Sequence, residues 1–313
     1  MADGNLECKE CNDTFKSEGG LHRHLKVHGM DMGTYYTTHY PRHNRLTQDL
    51  LPFKNKFDYF NTDFSTRAQM IKWCNQGDPE AVKEYILNQL KLRIQDKNLK
   101  RAPNHLELEL KKLPPIKIYQ KLFGSYGAAC KELNIKPLFS QPMLKTFPKE
   151  EENLEDINIF IDTREQKPLK FKTSTAHKLD FGDYTMGGDN YTYTYVDRKS
   201  EEDFKGTMGP GRDRFRRELQ RTKDFNAFLY IVVETSIKHI KKHNNFGPYK
   251  ANLPYVWHNM HQFTHDFKGH CQFIFSGGRT YSRKLIPKLL YHGKKLWNVD
   301  LQYYIDSYGL DTG

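Results

Sequence analysis

The chain has 313 residues, 49 Lys and Arg against 38 Asp and Glu, and 37% hydrophobic side chains. That length has room for two or three units, and a net charge of +11 favours a polyanionic partner. No apolar run is long enough to span a bilayer, and the start lacks the apolar core of a signal peptide. Beyond Cys8 and Cys11, the remaining cysteines Cys74, Cys130 and Cys271 are scattered and odd in number, which argues against a disulfide framework. A reducing, intracellular setting is expected, with no membrane partner.

Residues 1–33 carry Cys8-x2-Cys11-x12-His24-x3-His28, the spacing of a ββα Cys2His2 zinc finger, with Phe15 and Leu21 at its small-core positions. A unit this short needs the metal to fold, a contribution of roughly 10–16 kcal/mol in such peptides. Counting back from His24, the base-facing positions are Ser17, Gly20 and Arg23, of which Arg23 alone suits base reading. The finger could equally grip phosphates or a protein. Residues 34–76 are aromatic and basic without a clear period. They read either as a linker packed on its neighbours or as a surface that holds nucleic acid by charge and stacking.

Residues 77–140 are helical. Asp78-Pro79-Glu80 is a helix start, followed by a stripe of Val82, Tyr85, Ile86, Leu90 and Ile94. Asn104 to Glu107 resembles a capping box, and two short helices join at Phe123-Gly124-Ser125. The run Phe123-Gly124-Ser125-Tyr126-x-x-Ala129 resembles the short helical repeat found beside homing-endonuclease domains, which implies DNA binding; a helical spacer competes with it. Residues 141–154, with Pro142, Pro148 and the acids Glu150 to Glu152, mark a linker.

The chemistry lies in residues 155–313. Ile157 to Asp162 alternates as a strand ending in an acid, followed by Thr163-Arg164-Glu165. Asp183 follows a glycine suited to a tight turn. Tyr191 to Lys199 is strand-like, so Asp197 and Lys199 project together and Arg198 points to the opposite face. Two carboxylates can hold Mg2+ or Mn2+, and Lys199 can orient a water or offset phosphate charge. Asp162 and Glu165 could extend the site, and Arg164 could clamp a phosphate. Further along, Glu201 starts a helix, Gly206 to Gly211 is a breaker, and Arg212 to Thr222 is a helix whose Arg214 and Arg217 could lie along a phosphate backbone. Ala227 to Val233 is a buried strand, Val256 to Phe267 a helix, Cys271 to Phe275 a strand and Tyr281 to Leu290 a helix. The histidines from His258 to His270 lack metal spacing.

Asp162-Thr163-Arg164-Glu165, Gly182-Asp183, and Asp197-Arg198-Lys199 with Asp203 resemble the signature of the XPF family of structure-specific endonucleases. One position departs, since Asp197 stands where the family has Glu. The resemblance covers roughly Asn153 to Ile305. It implies an α/β, restriction-endonuclease-like core with a mixed sheet flanked by helices. It also implies catalytic Asp162, Glu165, Asp183, Asp197 and Lys199, with the catalytic metal on Asp162, Asp183 and Asp197. DNA contacts would fall on Arg23, Arg164, Arg198, Arg214 and Arg217. A homodimer through the nuclease domain is allowed, although no tandem helix-hairpin-helix pair follows the nuclease stretch. The expected activity is metal-dependent DNA cleavage in homing or in recombination and repair; the alternative is a DNA-binding protein with an inactive nuclease fold.

Overall fold

The computed structural model describes residues 6–142, 154, 157–246 and 250–309. Pro148 and the acids Glu150 to Glu152, which marked the linker, lie outside the described residues. The chain divides into two compact units, Met1–Tyr85 and Ile86–Gly313.

In the first unit, strands β1 (Leu6–Glu7) and β2 (Thr14–Phe15) pair antiparallel ahead of helix α1 (Glu18–His24), which continues as a 3-10 turn over Leu25–His28. The Ser17 hydroxyl accepts the Gly20 N–H at 3.2 Å, so it caps α1 instead of being free to read a base. Residues 34–76, expected as a packed linker or a basic, aromatic extension, carry helices. These are α2 (Met32–His39), α3 (Lys56–Asn61) and α4 (Arg67–Gln76), each capped by a side chain, from Asp31, Asn55 and Thr66. Tyr35, Tyr36 and Tyr59 bury against Cys8, Leu21 and Leu25 in one core. Tyr35 and Tyr36 are adjacent, and the Tyr59 hydroxyl donates to the carbonyl of Tyr36. Neighbouring rings that are both buried leave no helical period in the sequence, which is why the stretch looked irregular.

Helix α5 (Pro79–Asp96) crosses the division between the units. The second unit continues with α6 (His105–Leu110), α7 (Ile116–Phe123) and α8 (Tyr126–Glu132). Gly124 takes the left-handed φ of 79° that ends α7, and Ser125 caps α8 through the Ala128 N–H. The six-stranded sheet follows: β3 (Ile159–Asp162), β4 (Ser174–His177), β5 (Tyr184–Met186), β6 (Thr194–Lys199), β7 (Phe228–Val233) and β8 (Cys271–Phe275), in spatial order β4-β3-β5-β6-β7-β8. β3–β5 and β5–β6 are antiparallel; the other pairs are parallel. The result is an α/β fold with a mixed sheet covered by helices on both faces.

Alternation along β7 shows the two layers. Leu229, Ile231 and Val233 pack with residues of α9 (Glu201–Met208), α10 (Arg212–Asp224), α11 (Ile237–Phe246) and α12 (Leu253–Asp266). Phe228, Tyr230 and Val232 pack with α13 (Arg279–His292) and Leu301 of α14 (Leu301–Tyr308). α9 runs through Gly206 to Met208, so the expected break comes later, at Gly209 to Gly211.

α6 is anchored to this α/β layer. Leu106 joins the core that contains Trp257 and Phe263. The His105 N–H donates to Asp300 at 2.8 Å, and the His105 ring contacts Asp306 at 2.9 Å. Buried Glu107 pairs with Arg93 at 2.6 Å and His265 at 2.8 Å. Burial opposes its ionisation, but the His265 hydrogen bond and the nearby positive charges outweigh that and hold its carboxyl at about 2. Residues 86–140 therefore belong with the six-stranded sheet and its helices. A fragment of residues 78–313 is expected to melt cooperatively. One of residues 155–313, which strands His265 and the acids of α14, should lose about 3–5 kcal/mol, or roughly 10 °C in Tm. Equal melting points in a thermal scan would show the helical segment to be an independent appendage.

Candidate active site

The register of the β5–β6 hairpin sets the site. Tyr184 pairs with Val196, which places Asp183 beside Asp197 across the antiparallel pair. Asp183 N–H donates to Val196 O at 2.8 Å, and its Oδ2 accepts the Arg198 N–H at 2.7 Å. Gly182 makes the approach feasible. Its φ is 56°, and a Cβ there would lie 2.8 Å from the Val196 carbonyl oxygen and 3.0 Å from Leu229. No L side chain fits both demands.

Two carboxylates forced together in a partly dry notch repel. Burial, and then the Asp197 charge, push the Asp183 carboxyl up to about 8. Lys199 sits beside Asp197, its Nζ 2.8 Å from Oδ2 and 3.1 Å from Oδ1, and its side chain is only 13% exposed. Burial would drive its proton off, but Asp197, Glu218 and Asp183 outweigh that and raise its pKa. Asp197 Oδ2 is buried and, though close to Nζ, has no aligned hydrogen-bond donor. A buried carboxylate oxygen without a donor, between a second carboxylate and a lysine, fits a divalent cation.

Glu218 of α10 completes the cluster. Its Oε1 accepts the Gly182 N–H at 3.4 Å, and burial followed by the Asp197 charge raises its pKa. Its sequence signal is masked by the arginines that dominate α10. The available signal was a lone acid among Phe215, Leu219 and Thr222, the buried stripe of that helix.

The other expected residues are placed differently. Asp162 lies on the same face of the sheet, but its carboxylate accepts four N–H bonds: two from Arg164 side-chain nitrogens, one from the Arg164 backbone and one from Leu179. Burial opposes its charge, and the Arg164 bonds outweigh burial and hold the carboxyl at about 2. Asp162 thus closes the segment from Thr163 to Leu179, with both carboxylate oxygens engaged. Arg164 is bound to that carboxylate yet two-thirds exposed.

Glu165 reaches the neighbourhood of Asp183, contributing to its raised pKa. Its Oε1, however, accepts from the Lys167 N–H at 2.7 Å and from Arg198 Nη2 at 3.1 Å. Arg198, expected at DNA, turns away from the carboxylates. It is half-buried on the opposite face of β6, bound to Glu165, to Glu234 at 2.7 Å and to the Lys167 carbonyl at 3.0 Å. The pleat that turns Asp197 and Lys199 into the notch turns Arg198 away from it. Arg214 and Arg217 are exposed on α10, as is Arg221, and none of the three forms a salt bridge among the described residues. In the first unit, Arg23 is exposed, with its Nε donating to the Gly19 carbonyl at 3.2 Å.

The Cys8, Cys11, His24 and His28 donors also converge, all within 4.8 Å of one another. Cys8 Sγ is 3.7 Å from His28 Nε2, Cys11 Sγ is 3.1 Å from His24 Nε2, and the two Nε2 atoms are 3.0 Å apart. Such separations suit donors about 2.0–2.3 Å from one tetrahedral ion.

No protein-family model matches the sequence. No curated protein is similar to it. Among solved structures, XPF from Aeropyrum pernix is 17% identical with a TM-score of 0.33, over 42% of this chain and 64% of that one. The same protein in complex with DNA gives 16%, 0.32, 44% and 64%. The chain thus spans less than two thirds of either.

The raised Asp183 pKa has a stability consequence. Between the ordinary value of 3.8 and about 8, folded Asp183 holds a proton that the unfolded chain has released. Stability therefore falls as pH rises across that window. Without added divalent metal, Asp183→Asn should be more stable than the parent at pH 8, with the gain shrinking to nothing near pH 4. Melting temperatures against pH test this; a gain that does not vary with pH would remove the repelling pair as its cause.

Proposed function

We propose that the chain is a divalent-metal-dependent DNA endonuclease. The observation that carries this is the cluster of buried Asp197 with half-buried Asp183 and Glu218, gathered around charged Lys199. Nothing in fold maintenance requires two carboxylates to face each other across a hairpin. A cation removes that repulsion, and the same arrangement is what phosphodiester hydrolysis uses.

Asp183 and Asp197 would hold Mg2+ or Mn2+, with Glu218 at the edge of the site; when bound, the ion supplies an acidified water and neutralises charge on the phosphate. Lys199 holds its proton and offers N–H donors to a water or to a non-bridging phosphate oxygen. Arg164, fixed on Asp162 but exposed, faces the same carboxylate group closely enough to feel Glu218 and Asp183. It supplies a positive edge. Arg214, Arg217 and Arg221 recur along one exposed side of α10 and give a phosphate backbone a line of positive charge. Arg198 acts at second hand, by tying Glu165 to Glu234. Its N–H, not its side chain, touches the catalytic Asp183.

Cleavage of linear, flapped and branched DNA in Mg2+, with binding measured in Ca2+, tests the assignment. Lys199→Ala should lose about 10²–10³-fold in rate, Asp183→Asn, Asp197→Asn and Glu218→Gln at least as much, all with DNA affinity largely kept. Arg214→Ala with Arg217→Ala should instead weaken binding and flatten its salt dependence by about 0.9 per lost phosphate contact on duplex DNA. If Asp197→Asn cuts at the parental rate, the chain is better read as a DNA-binding protein on an inactive nuclease fold.

The zinc assignment belongs to the first unit. Cys8, Cys11, His24 and His28 would hold one Zn2+, the thiolates and imidazoles being its preferred donors. Cys8 is wholly buried in the core that includes Tyr35 and Tyr59. Cys8→Ser should therefore release about one equivalent of zinc and unfold the tyrosine core along with the finger. Metal content and tyrosine near-ultraviolet dichroism report the two effects. Retained dichroism without zinc would show that α2–α4 hold the unit together unaided.

A further inference from the structure

A second cluster of metal donors lies outside both sites. His239 and His243 are one turn apart on α11, on the same side of the helix. They face Glu201, the first residue of α9. Glu201 Oε1 is 3.1 Å from His243 Nδ1, and Oε2 is 3.6 Å from His239 Nε2. The three donor atoms lie within 4.8 Å of one another. Two imidazoles and one carboxylate, each about 2.0–2.2 Å from a common centre, require separations of roughly 3–3.5 Å. The two Glu201–imidazole spacings are close to that requirement, and the two imidazole donors lie within 4.8 Å of each other.

The burial pattern fits a metal site better than a surface ion pair. The Glu201 side chain is 7% exposed, whereas His239 and His243 are 61% and 46% exposed. A fixed carboxylate thus sits at the floor with two imidazoles at the rim. Two histidines and a carboxylate match zinc and its first-row neighbours; Mg2+ and Ca2+ prefer oxygen alone. Three protein donors leave a fourth position for water. One group competes: Lys205, a turn further along α9, has its Nζ 2.5 Å from Glu201 Oε1. Its ammonium occupies one side of the carboxylate and must move for the ion to bind.

We propose that Glu201, His239 and His243 form a Zn2+-class binding site that links α9 to α11. Both helices pack on the catalytic face of the sheet, through Phe204 and Met208 of α9 and Ile237 and Ile240 of α11. Glu201 follows Lys199 by two residues. A bound ion would join the element after the catalytic strand to the element after β7. It would stabilise the folded state by mass action, without contributing a group to the chemistry.

The test titrates the full chain, its finger already loaded with zinc, with further Zn2+ in excess Mg2+, using a chromophoric zinc chelator as competitor. The parent should take up one additional equivalent, with a rise in Tm. His239→Asn with His243→Asn should lose that equivalent; both positions are exposed, and unchanged dichroism without the extra zinc checks the fold. Lys205→Ala should bind the added ion about twofold tighter, because it frees the carboxylate of its i,i+4 partner. Uptake unchanged by the double histidine variant would overturn the site. Weaker uptake in Lys205→Ala would overturn Glu201 as a ligand. The Cys8→Ser and Asp197→Asn proteins should each keep the additional equivalent, which separates this site from the finger and from the catalytic acids.

Discussion

Asp183 and Asp197 are held side by side by backbone pairing, and the rest of the second unit is arranged around that unfavourable contact. Like charges opposite one another on adjacent strands are destabilising, and burial makes it worse by disfavouring either charge. The hairpin cannot relieve the strain by slipping. A shift of one residue would turn every side chain of β6 to the wrong face and expose Val196, which is fully buried. Relief comes locally, from the Lys199 ammonium, from the Arg198 N–H on Asp183, and from protonation when no cation is present. Gly182 is the covalent condition for the arrangement, because any Cβ would push the turn off the Val196 carbonyl.

β6 divides labour by its pleat. One face carries Tyr195, Asp197 and Lys199 toward α10; the other carries Val196 and Arg198 toward α13. Arg198 then collects Glu165, Glu234 and the Lys167 carbonyl, while Arg279, at the start of α13, bonds the carbonyls of Lys167 and Pro168 at 2.7 and 2.9 Å. These bonds hold the segment after β3 from one side, and the Asp162–Arg164–Leu179 clamp holds it from the other. Acids that look alike in the sequence thus do different work. Asp162 is saturated by donors and has its pKa held down; Asp183 receives one donor, faces a carboxylate and has its pKa raised. The number of N–H groups aimed at each carboxylate separates an acid held ionised from one held protonated.

This contrast explains what could be read from residues alone. Period-two alternation placed Asp197 with Lys199 and turned Arg198 away, because strand geometry fixes side-chain direction without tertiary information. The buried run of β7 and the amphipathic α10 and α12 were legible for the same reason. The fate of Asp162 was not, since its donors come from Arg164 and Leu179, and the fold of the intervening segment decides whether they arrive. Glu218 was hidden because its partners lie on another element and its helix is dominated by arginine. β4, with all four residues exposed, has no alternation to detect. α2 lacks a stripe because its two buried rings, Tyr35 and Tyr36, are adjacent.

The helical segment before the sheet raises a final point about buried charge. Glu107 is 1% exposed, yet Arg93 and His265 converge on it from α5 and α12. Its carboxylate accepts Arg93 Nε at 2.8 Å and Nη2 at 2.6 Å on one oxygen, and contacts His265 on the other. Apolar side chains of similar volume could fill that space at equal or better stability, so the network is poor evidence for stability alone. Its geometric demand is stricter. A displacement of α6 by one residue would bury an unpaired carboxylate, which costs several kcal/mol, whereas an apolar contact such as Leu106 against the same core tolerates small shifts. The charge network therefore fixes the register of α6 on α12, while Leu106 supplies the adhesion. That docking carries α7 and α8 with it, because the Tyr126 hydroxyl of α8 donates to the Pro103 carbonyl at 2.7 Å and Tyr303 of α14 bonds Gln120 of α7 at 2.6 Å. Helices that read as a separate module in the sequence are held in one orientation on the α/β layer, so any contact they make with a ligand is set in a fixed geometry relative to Asp183 and Asp197.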